Sequence, residues 1–268
     1  MTKLKREIDE IKVSNYRTPK PPTMHCIRVA LAFMSLIFAS WTLQAAPPLP
    51  SSLDAHASGV FLNAAGDVLT ARHAVATCST IYAVKDGRVV EATLQIVSEE
   101  LDLAVLRTTL KPYLSATLAQ TEARSGSSQG VFSEAYSVLQ RLPGRATLVS
   151  NAITVPGDDG MQMLSGVKSG ASGSAVIGGA GLVLGVVVSR VASGSGTQGV
   201  ASSTMLSRAA AAGVPVGASL VRAVGVTQIK QFLRTGGIPY AESDAAQLGS
   251  TQSPAARAAT LSVGIICG

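Results

Sequence analysis

The fold class follows from residues 58–78, which read SGVFLNAAGDVLTARHAVATC in this 268-residue chain. Two short runs of mostly apolar residues, 58–62 and 67–70, flank turn-forming residues at 63–66, and this pattern predicts a β-hairpin. The second run ends close to a histidine, His73. The stretch therefore indicates a small antiparallel unit with a candidate functional residue at one end.

Runs of the same kind recur along the chain, at residues 80–84, 89–98, 101–107, 131–139, 146–155, 162–166, 174–177 and 182–191. A passage rich in Pro, Ser, Thr and Gly at 111–130 separates the first set from the second. Short strands spaced by turns, without alternating long helices, predict an all-β protein. Two blocks joined by a linker favour two small barrels over one sandwich.

One helix is predicted at residues 227–233, TQIKQFL, with Thr227 as its N-cap and Gly236 ending it. A weaker helical segment is predicted at 205–212, inside the Ser/Gly/Ala-rich passage 193–217. The residues that follow the main helix are mostly small and polar, up to a short apolar end.

The N-terminal segment is typical of an export signal. Arg28 precedes a charge-free apolar run at 29–43, and the small residues Ala45 and Ala46 follow it. A membrane-spanning helix needs about 20 apolar residues, so an uncleaved anchor is the weaker alternative. Met24 is an alternative start, since the lead before it is long. We expect a secreted or periplasmic protein that meets the membrane only through this segment.

The net charge of +6 owes much to residues 1–46, which hold seven basic and three acidic residues. The remainder has 15 basic and 13 acidic residues without a basic cluster, so nucleic-acid binding has little support. Two cysteines, Cys78 and Cys267, follow the signal segment. In an oxidising compartment such a pair indicates a disulfide, and the alternative is two unrelated thiols.

Three residues could carry chemistry together: His73, Asp102 in LDLAVLR (101–107) and Ser172 in GASGSAV (170–176). A serine nucleophile needs a base, a histidine suits that role, and a carboxylate fixes the tautomer of the histidine. The other histidine after the signal segment, His56, lies in a polar stretch and is expected to be solvated. No zinc-like spacing, P-loop or dinucleotide fingerprint is present, so no metal or cofactor is predicted.

These motifs resemble a known family, the trypsin-like serine proteases of the bacterial HtrA/Deg type. Residues 58–79 resemble its G-x-G-F…L-T-x-x-H-V-V block, 101–107 its D-L-A-V-L strand, and 170–187 its G-N-S-G-G-P-L-V segment. The resemblance implies two six-stranded antiparallel β-barrels with the active site between them, followed by a C-terminal helix and a short extension.

The resemblance also implies residue roles: His73 as general base, Asp102 as its orienting partner and Ser172 as nucleophile. The backbone N–H groups of Gly170 and Ser172 would form the oxyanion hole, and the substrates would be proteins or peptides. Gly166, six residues before Ser172, and the strand residues Val186, Val187 and Val188 are expected at the primary specificity pocket. Because none of them is acidic, cleavage after small or medium apolar residues is expected.

The predicted division of the chain is a signal segment at 1–46, an N-terminal barrel at 47–120, a C-terminal barrel with helix at 121–235, and an extension at 236–268. The extension is too short for a PDZ domain, so a stand-alone protease is expected. Arg72 before the histidine, and Ala171, Ser174 and Ala175 around the serine, depart from the family pattern. They leave open a catalytically silent binding or scaffold protein with the same fold.

Overall fold

The computed structural model describes residues 55–122, 127–155, 160–190 and 218–268. The predicted signal segment and the candidate helix at 205–212 lie outside the described residues. The strands are β1 (Ala57–Phe61), β2 (Asp67–Ala71), β3 (Ile81–Lys85), β4 (Arg88–Ser98), β5 (Leu103–Thr108), β6 (Thr117–Ala119), β7 (Gly130–Phe132), β8 (Ala152–Val155), β9 (Met161–Ser165), β10 (Ala175–Gly178), β11 (Val183–Arg190), β12 (Ser219–Gly225), β13 (Ala241–Ser243) and β14 (Ser262–Cys267). The α-helices are α1 (Tyr136–Leu139), α2 (Val226–Thr235) and α3 (Pro254–Leu261), and a 3₁₀ turn covers Arg72–Ala74.

The first barrel closes in the order β1-β14-β3-β4-β5-β2, with every neighbouring pair antiparallel. Its sixth strand, β14, comes from the segment predicted as an extension, so the division into an N-terminal barrel at 47–120 and an extension at 236–268 is wrong. The physical reason is the period of two in SVGIIC: Val263 and Ile265 are fully buried in the barrel core. The barrel cannot close without them.

The second barrel closes in the order β10-β7-β8-β9-β12-β11, because β11 also pairs with β10. Two short strands, β6 and β13, join the outer side of β11 through parallel pairings. The prediction of two six-stranded antiparallel barrels is confirmed. Only the start of the predicted run at 131–139 is a strand. Residues 136–139 form the short helix α1, in which Tyr136 and Leu139 are buried.

The helix predicted at 227–233 is α2, which starts at Val226 and is followed by Gly236. Thr227 is not its N-cap: Gly225 occupies that position, and the Glu122 carboxylate accepts the N–H of Thr227 at 3.4 Å. Helix α3 was not predicted, although Ser253 Oγ accepts a hydrogen bond from Ala256 N at 3.1 Å and Pro254 opens the first turn. No helix in the described parts of the chain is long and apolar enough to cross a membrane.

The two barrels share a hydrophobic core. Val60, Leu69, Leu103 and Val105 face out of the first barrel and join a cluster made mostly by the second barrel and its helices. Both faces of β1, β2 and most of β5 are therefore buried, which explains their nearly continuous apolar sequences. This packing places the start of β1 and the end of β2 next to the turn that follows β9.

Candidate active site

The histidine lies where the first barrel meets the second. Strand β2 ends at Ala71, and the 3₁₀ turn that follows carries His73. The N–H of Arg72 donates to the carbonyl of Asp102 at 2.9 Å, which fixes the turn to the start of β5. This arrangement brings His73 beside Asp102, which is 29 positions away in sequence.

The Asp102 carboxylate holds the histidine at two points. Its Oδ2 lies 2.6 Å from His73 Nδ1, and its Oδ1 accepts the backbone N–H of His73 at 2.9 Å. Asp102 has a φ of 53°, a left-handed conformation that aspartate adopts more readily than most residues. Because a carboxylate only accepts, the neutral imidazole carries its proton on Nδ1.

The serine completes the constellation. With the proton on Nδ1, His73 Nε2 is an acceptor, and it lies 3.0 Å from Ser172 Oγ. The structure thus brings together all three residues that the motifs single out. The geometry is that of a nucleophile, a base and an orienting carboxylate.

Two amides of the turn that carries Ser172 have no acceptor in the described part of the chain. Ala171 N donates to Lys168 O at 3.3 Å and Gly173 N to Val187 O at 2.7 Å. Within the described ranges, by contrast, the N–H groups of Gly170 and Ser172 donate to no acceptor. Gly170 reaches this conformation with a φ of 89°, which favours glycine. Two such amides beside a nucleophile can stabilise a developing oxyanion.

The backbone of this turn is in direct contact with the backbone of the first barrel. Ser58 N donates to Ser172 O at 2.9 Å. A Cβ on Gly173 would lie 2.0 Å from Ser58 O and 2.5 Å from Thr70 Oγ1, at a φ of +85°. Only glycine permits this approach.

The residues expected at the specificity pocket are placed differently from one another. Gly166 is half-buried, just after β9. Val186, Val187 and Val188 are buried and belong to the shared core, and their place at the specificity pocket stays a prediction. A strand with both faces covered buries every side chain. The exposed residues of β11 are Ser189 and Arg190.

A half-buried carboxyl group that the motifs did not single out, Glu134, lies beside the catalytic turn. Burial raises the pKa of Glu134, while the backbone N–H groups of Ala135 and Lys168 and the charges of Lys168 and Arg190 act in the opposite direction. Its hydrogen bond with the N–H of Lys168 places Glu134 at the start of the turn. Near His73, Arg72 forms an ion pair with Glu99. The backbone carbonyl of Glu99 accepts the N–H of Asp102 at 3.3 Å.

The turn after His73 has two further attachments. Cys78 and Cys267 form a disulfide with 5.1 Å between their Cα atoms. His56 is exposed but not merely solvated, because its Nε2 lies 3.1 Å from Ala74 O and its Nδ1 accepts Cys267 N at 3.3 Å. Strand β14 is therefore joined to this turn by a covalent bond and by a histidine.

A cavity of about 380 Å³ lies elsewhere, lined by Phe61, Lys85, Arg145 and Thr260 among others and by none of the triad residues. In the described parts of the chain, no group of three or more His, Cys, Asp or Glu residues is placed to hold a metal ion.

The fold and the arrangement of His73, Asp102 and Ser172 are those that the resemblance to trypsin-like serine proteases implies. Residues 57–186, just under half of the chain, match the trypsin-like peptidase domain, in agreement with the predictions of a trypsin-like fold and a serine endopeptidase. No curated protein matches the chain.

Several solved structures are similar to the chain. The active form of the Rv3671c protease from M. tuberculosis is 17% identical, over 72% of this chain and 78% of that one, with a TM-score of 0.45. The HtrA-type protease AlgW with a decapeptide is 20% identical, over 68% of this chain and 51% of that one, with a TM-score of 0.44. A serine endoprotease from Yersinia pestis is 18% identical, over 67% of this chain and 57% of that one, with a TM-score of 0.45.

Proposed function

We propose that this chain is an exported serine endopeptidase that hydrolyses peptide bonds through His73, Asp102 and Ser172. The observation that carries the proposal is the hydrogen-bonded series in which His73 contacts Ser172 Oγ at 3.0 Å and Asp102 Oδ2 at 2.6 Å. A serine hydroxyl is a weak nucleophile unless a base removes its proton, and this series supplies the base with its free nitrogen towards the hydroxyl.

In the first half of the reaction, Ser172 Oγ attacks the carbonyl carbon of the scissile peptide bond and its proton passes to His73 Nε2. The carbonyl oxygen becomes an oxyanion, which the N–H groups of Gly170 and Ser172 stabilise. The C–N bond then breaks, the amine leaves with the proton from Nε2, and an acyl-enzyme remains.

In the second half, water attacks the acyl-enzyme while His73 Nε2 takes its proton. The second oxyanion collapses, the Ser172 ester bond breaks, and the proton returns to Oγ as the new carboxyl group leaves. Asp102 stays ionised throughout and stabilises the imidazolium that forms twice in the cycle.

Export and substrate preference belong to the same proposal. The apolar segment at 29–43 supports export, and the disulfide between Cys78 and Cys267 is typical of proteins in oxidising compartments. Protein or peptide substrates cleaved after small or medium apolar residues are proposed, because Gly166 places no charge at its position. N-terminal sequencing of the exported protein tests the first point, with cleavage near Ala45 or Ala46 expected.

The decisive experiment is labelling of the purified protein with a fluorophosphonate probe, which reacts only with an activated serine. Ser172→Ala and His73→Ala are expected to abolish labelling. Asp102→Asn is expected to slow it by on the order of 10⁴-fold, because the amide N–H₂ opposes Nδ1–H and forces the wrong tautomer. Glu100→Gln, an exposed carboxylate two residues away, is the matched control and should label normally. Labelling that persists in Ser172→Ala, or a folded wild type that stays unlabelled, would refute the proposal.

A further inference from the structure

Ser58, the second residue of β1, is a small polar residue with no accessible surface. Four hydrogen bonds join it to three separate segments: the catalytic turn, strand β2 and the start of helix α1. Its N–H donates to Ser172 O at 2.9 Å, and its carbonyl accepts from Thr70 Oγ1 at 2.7 Å. Its side-chain Oγ donates to Gly170 O at 2.7 Å and accepts from Tyr136 N at 2.8 Å.

The direction of the side-chain bonds follows from the chemistry of the partners. Tyr136 N–H can only donate and Gly170 C=O can only accept. A serine hydroxyl has one proton together with acceptor lone pairs, so it serves both groups at once. Because the Tyr136 amide uses a lone pair, the hydroxyl proton is committed to the carbonyl of Gly170.

Two of these bonds hold the catalytic turn on either side of its serine. Peptide units are planar, so fixing the carbonyls of Gly170 and Ser172 fixes the plane of the peptide that follows each residue. The peptide between those two planes carries the Ser172 N–H, one of the two proposed oxyanion donors. The other donor belongs to Gly170, and glycine has more backbone conformations open to it than any other residue type.

We propose that Ser58 is a positioning residue for the oxyanion hole: its hydroxyl, anchored by the amide that opens helix α1, holds the Gly170–Ser172 turn in the conformation that presents both N–H groups to the substrate. The inference rests on the proposed function of this turn. The first barrel, which supplies the base, thereby also helps to stabilise the charge of the transition state.

The test uses Ser58→Ala in the full-length exported protein, with saturation kinetics of fluorophosphonate labelling as the readout. The phosphoryl oxygen of the probe occupies the oxyanion position as Ser172 is modified, so no natural substrate is required. The limiting rate of labelling is expected to fall about 10- to 100-fold, somewhat less than when an oxyanion donor is removed outright. The probe concentration at half-saturation should stay within about two-fold, since reversible probe binding does not use the turn.

The matched control is Ser262→Ala, which removes another buried serine hydroxyl in the same barrel. Ser262 Oγ donates to Ala259 O at 3.2 Å and makes no hydrogen bond to the catalytic turn. Both variants are measured well below their melting temperatures. Loss of a buried hydroxyl alone would lower the melting temperature of either variant, whereas only Ser58→Ala should slow labelling.

A second variant, Ser58→Cys, decides the question if Ser58→Ala does not fold. Cysteine has nearly the volume of serine, but its thiol is a weaker donor and acceptor. The limiting rate is then expected between those of wild type and Ser58→Ala. A folded Ser58→Ala or Ser58→Cys protein that labels within about two-fold of wild type would overturn the inference and leave the proposed function standing. An unlabelled wild type would overturn both.

Discussion

The disulfide between Cys78 and Cys267 gives the most direct quantitative prediction. Its two cysteines are separated by 189 positions in sequence, so in the unfolded chain the bond closes a very long loop. The loop-entropy relation for a ring of that size gives about 5 kcal/mol of stabilisation at 25 °C. This is comparable with the whole free energy of unfolding of many domains, which is about 5–15 kcal/mol.

Removal of the bond should lower the free energy of unfolding mainly through the unfolded chain, which gains conformational entropy, because the native contacts remain. Without the bond, β14 still pairs with β1 and β3, and Val263 and Ile265 remain buried in the barrel. The triad makes no contact with either sulfur among the hydrogen bonds of the described residues. We therefore expect a Cys78→Ser/Cys267→Ser double variant to fold, and to label with fluorophosphonate at the wild-type rate at low temperature.

The assay is guanidinium unfolding followed by far-ultraviolet circular dichroism, for wild type and the double variant, each with and without reductant. The free energy of unfolding of the double variant should be lower by up to about 5 kcal/mol, and reductant should lower only that of wild type. Reductant acting on the double variant would show an effect unrelated to the bond. A difference below about 1 kcal/mol between the oxidised wild type and the variant would refute the loop-entropy reasoning for this chain.

Two further changes test the seat of the catalytic turn and the carboxyl group beside it. Gly173→Ala is expected to lower the free energy of unfolding by about 3 kcal/mol or more and to abolish labelling, because its Cβ would lie 2.0 Å from Ser58 O at a φ of +85°. Gly179→Ala, where nothing lies within 4 Å of the added Cβ, should change neither the stability nor the labelling. A Gly173→Ala protein with wild-type stability and labelling would contradict this packing. Glu134→Gln should raise the melting temperature at neutral pH, because burial raises the pKa of Glu134 in the folded state, so that its ionisation removes stability as the pH rises through the folded pKa. The gain should vanish below about pH 4, where the carboxyl group is protonated in both states; an exposed Glu91→Gln control should show no such trend, and a gain that does not vary with pH would exclude the mechanism.

The sequence carried the local parts of the site because each is encoded within a few residues. The apolar run before His73, the isolated Asp102 at the start of an apolar strand and the small residues around Ser172 are all visible in the chain. Their convergence depends on the fold, and the ordered motifs predicted it through the family resemblance. For the three valines of β11 the sequence alone does not decide, because a continuous apolar run does not reveal whether it lines a pocket or fills a core.

The features that escaped prediction depend on distant parts of the chain. The apolar end at 262–267 is visible, but nothing local shows that it pairs with β1 and β3. Ser58 has no distinguishing neighbour in sequence, since its four partners come from other segments. Ser253 followed by Pro254 is, by contrast, an ordinary helix start that the sequence analysis passed over.

The origin of β14 has a consequence for how the enzyme comes into being. The six strands of the second barrel, β7 to β12, are consecutive in sequence, whereas the first barrel is completed only by β14, which follows all of them in the chain. Pairings between such distant segments form slowly, since the chain must close large loops before it gains contacts. We therefore expect the barrel of Ser172 to form before that of His73 and Asp102. A nascent chain would then carry its nucleophile without a base, and would become able to cleave peptide bonds only when its own folding is nearly finished.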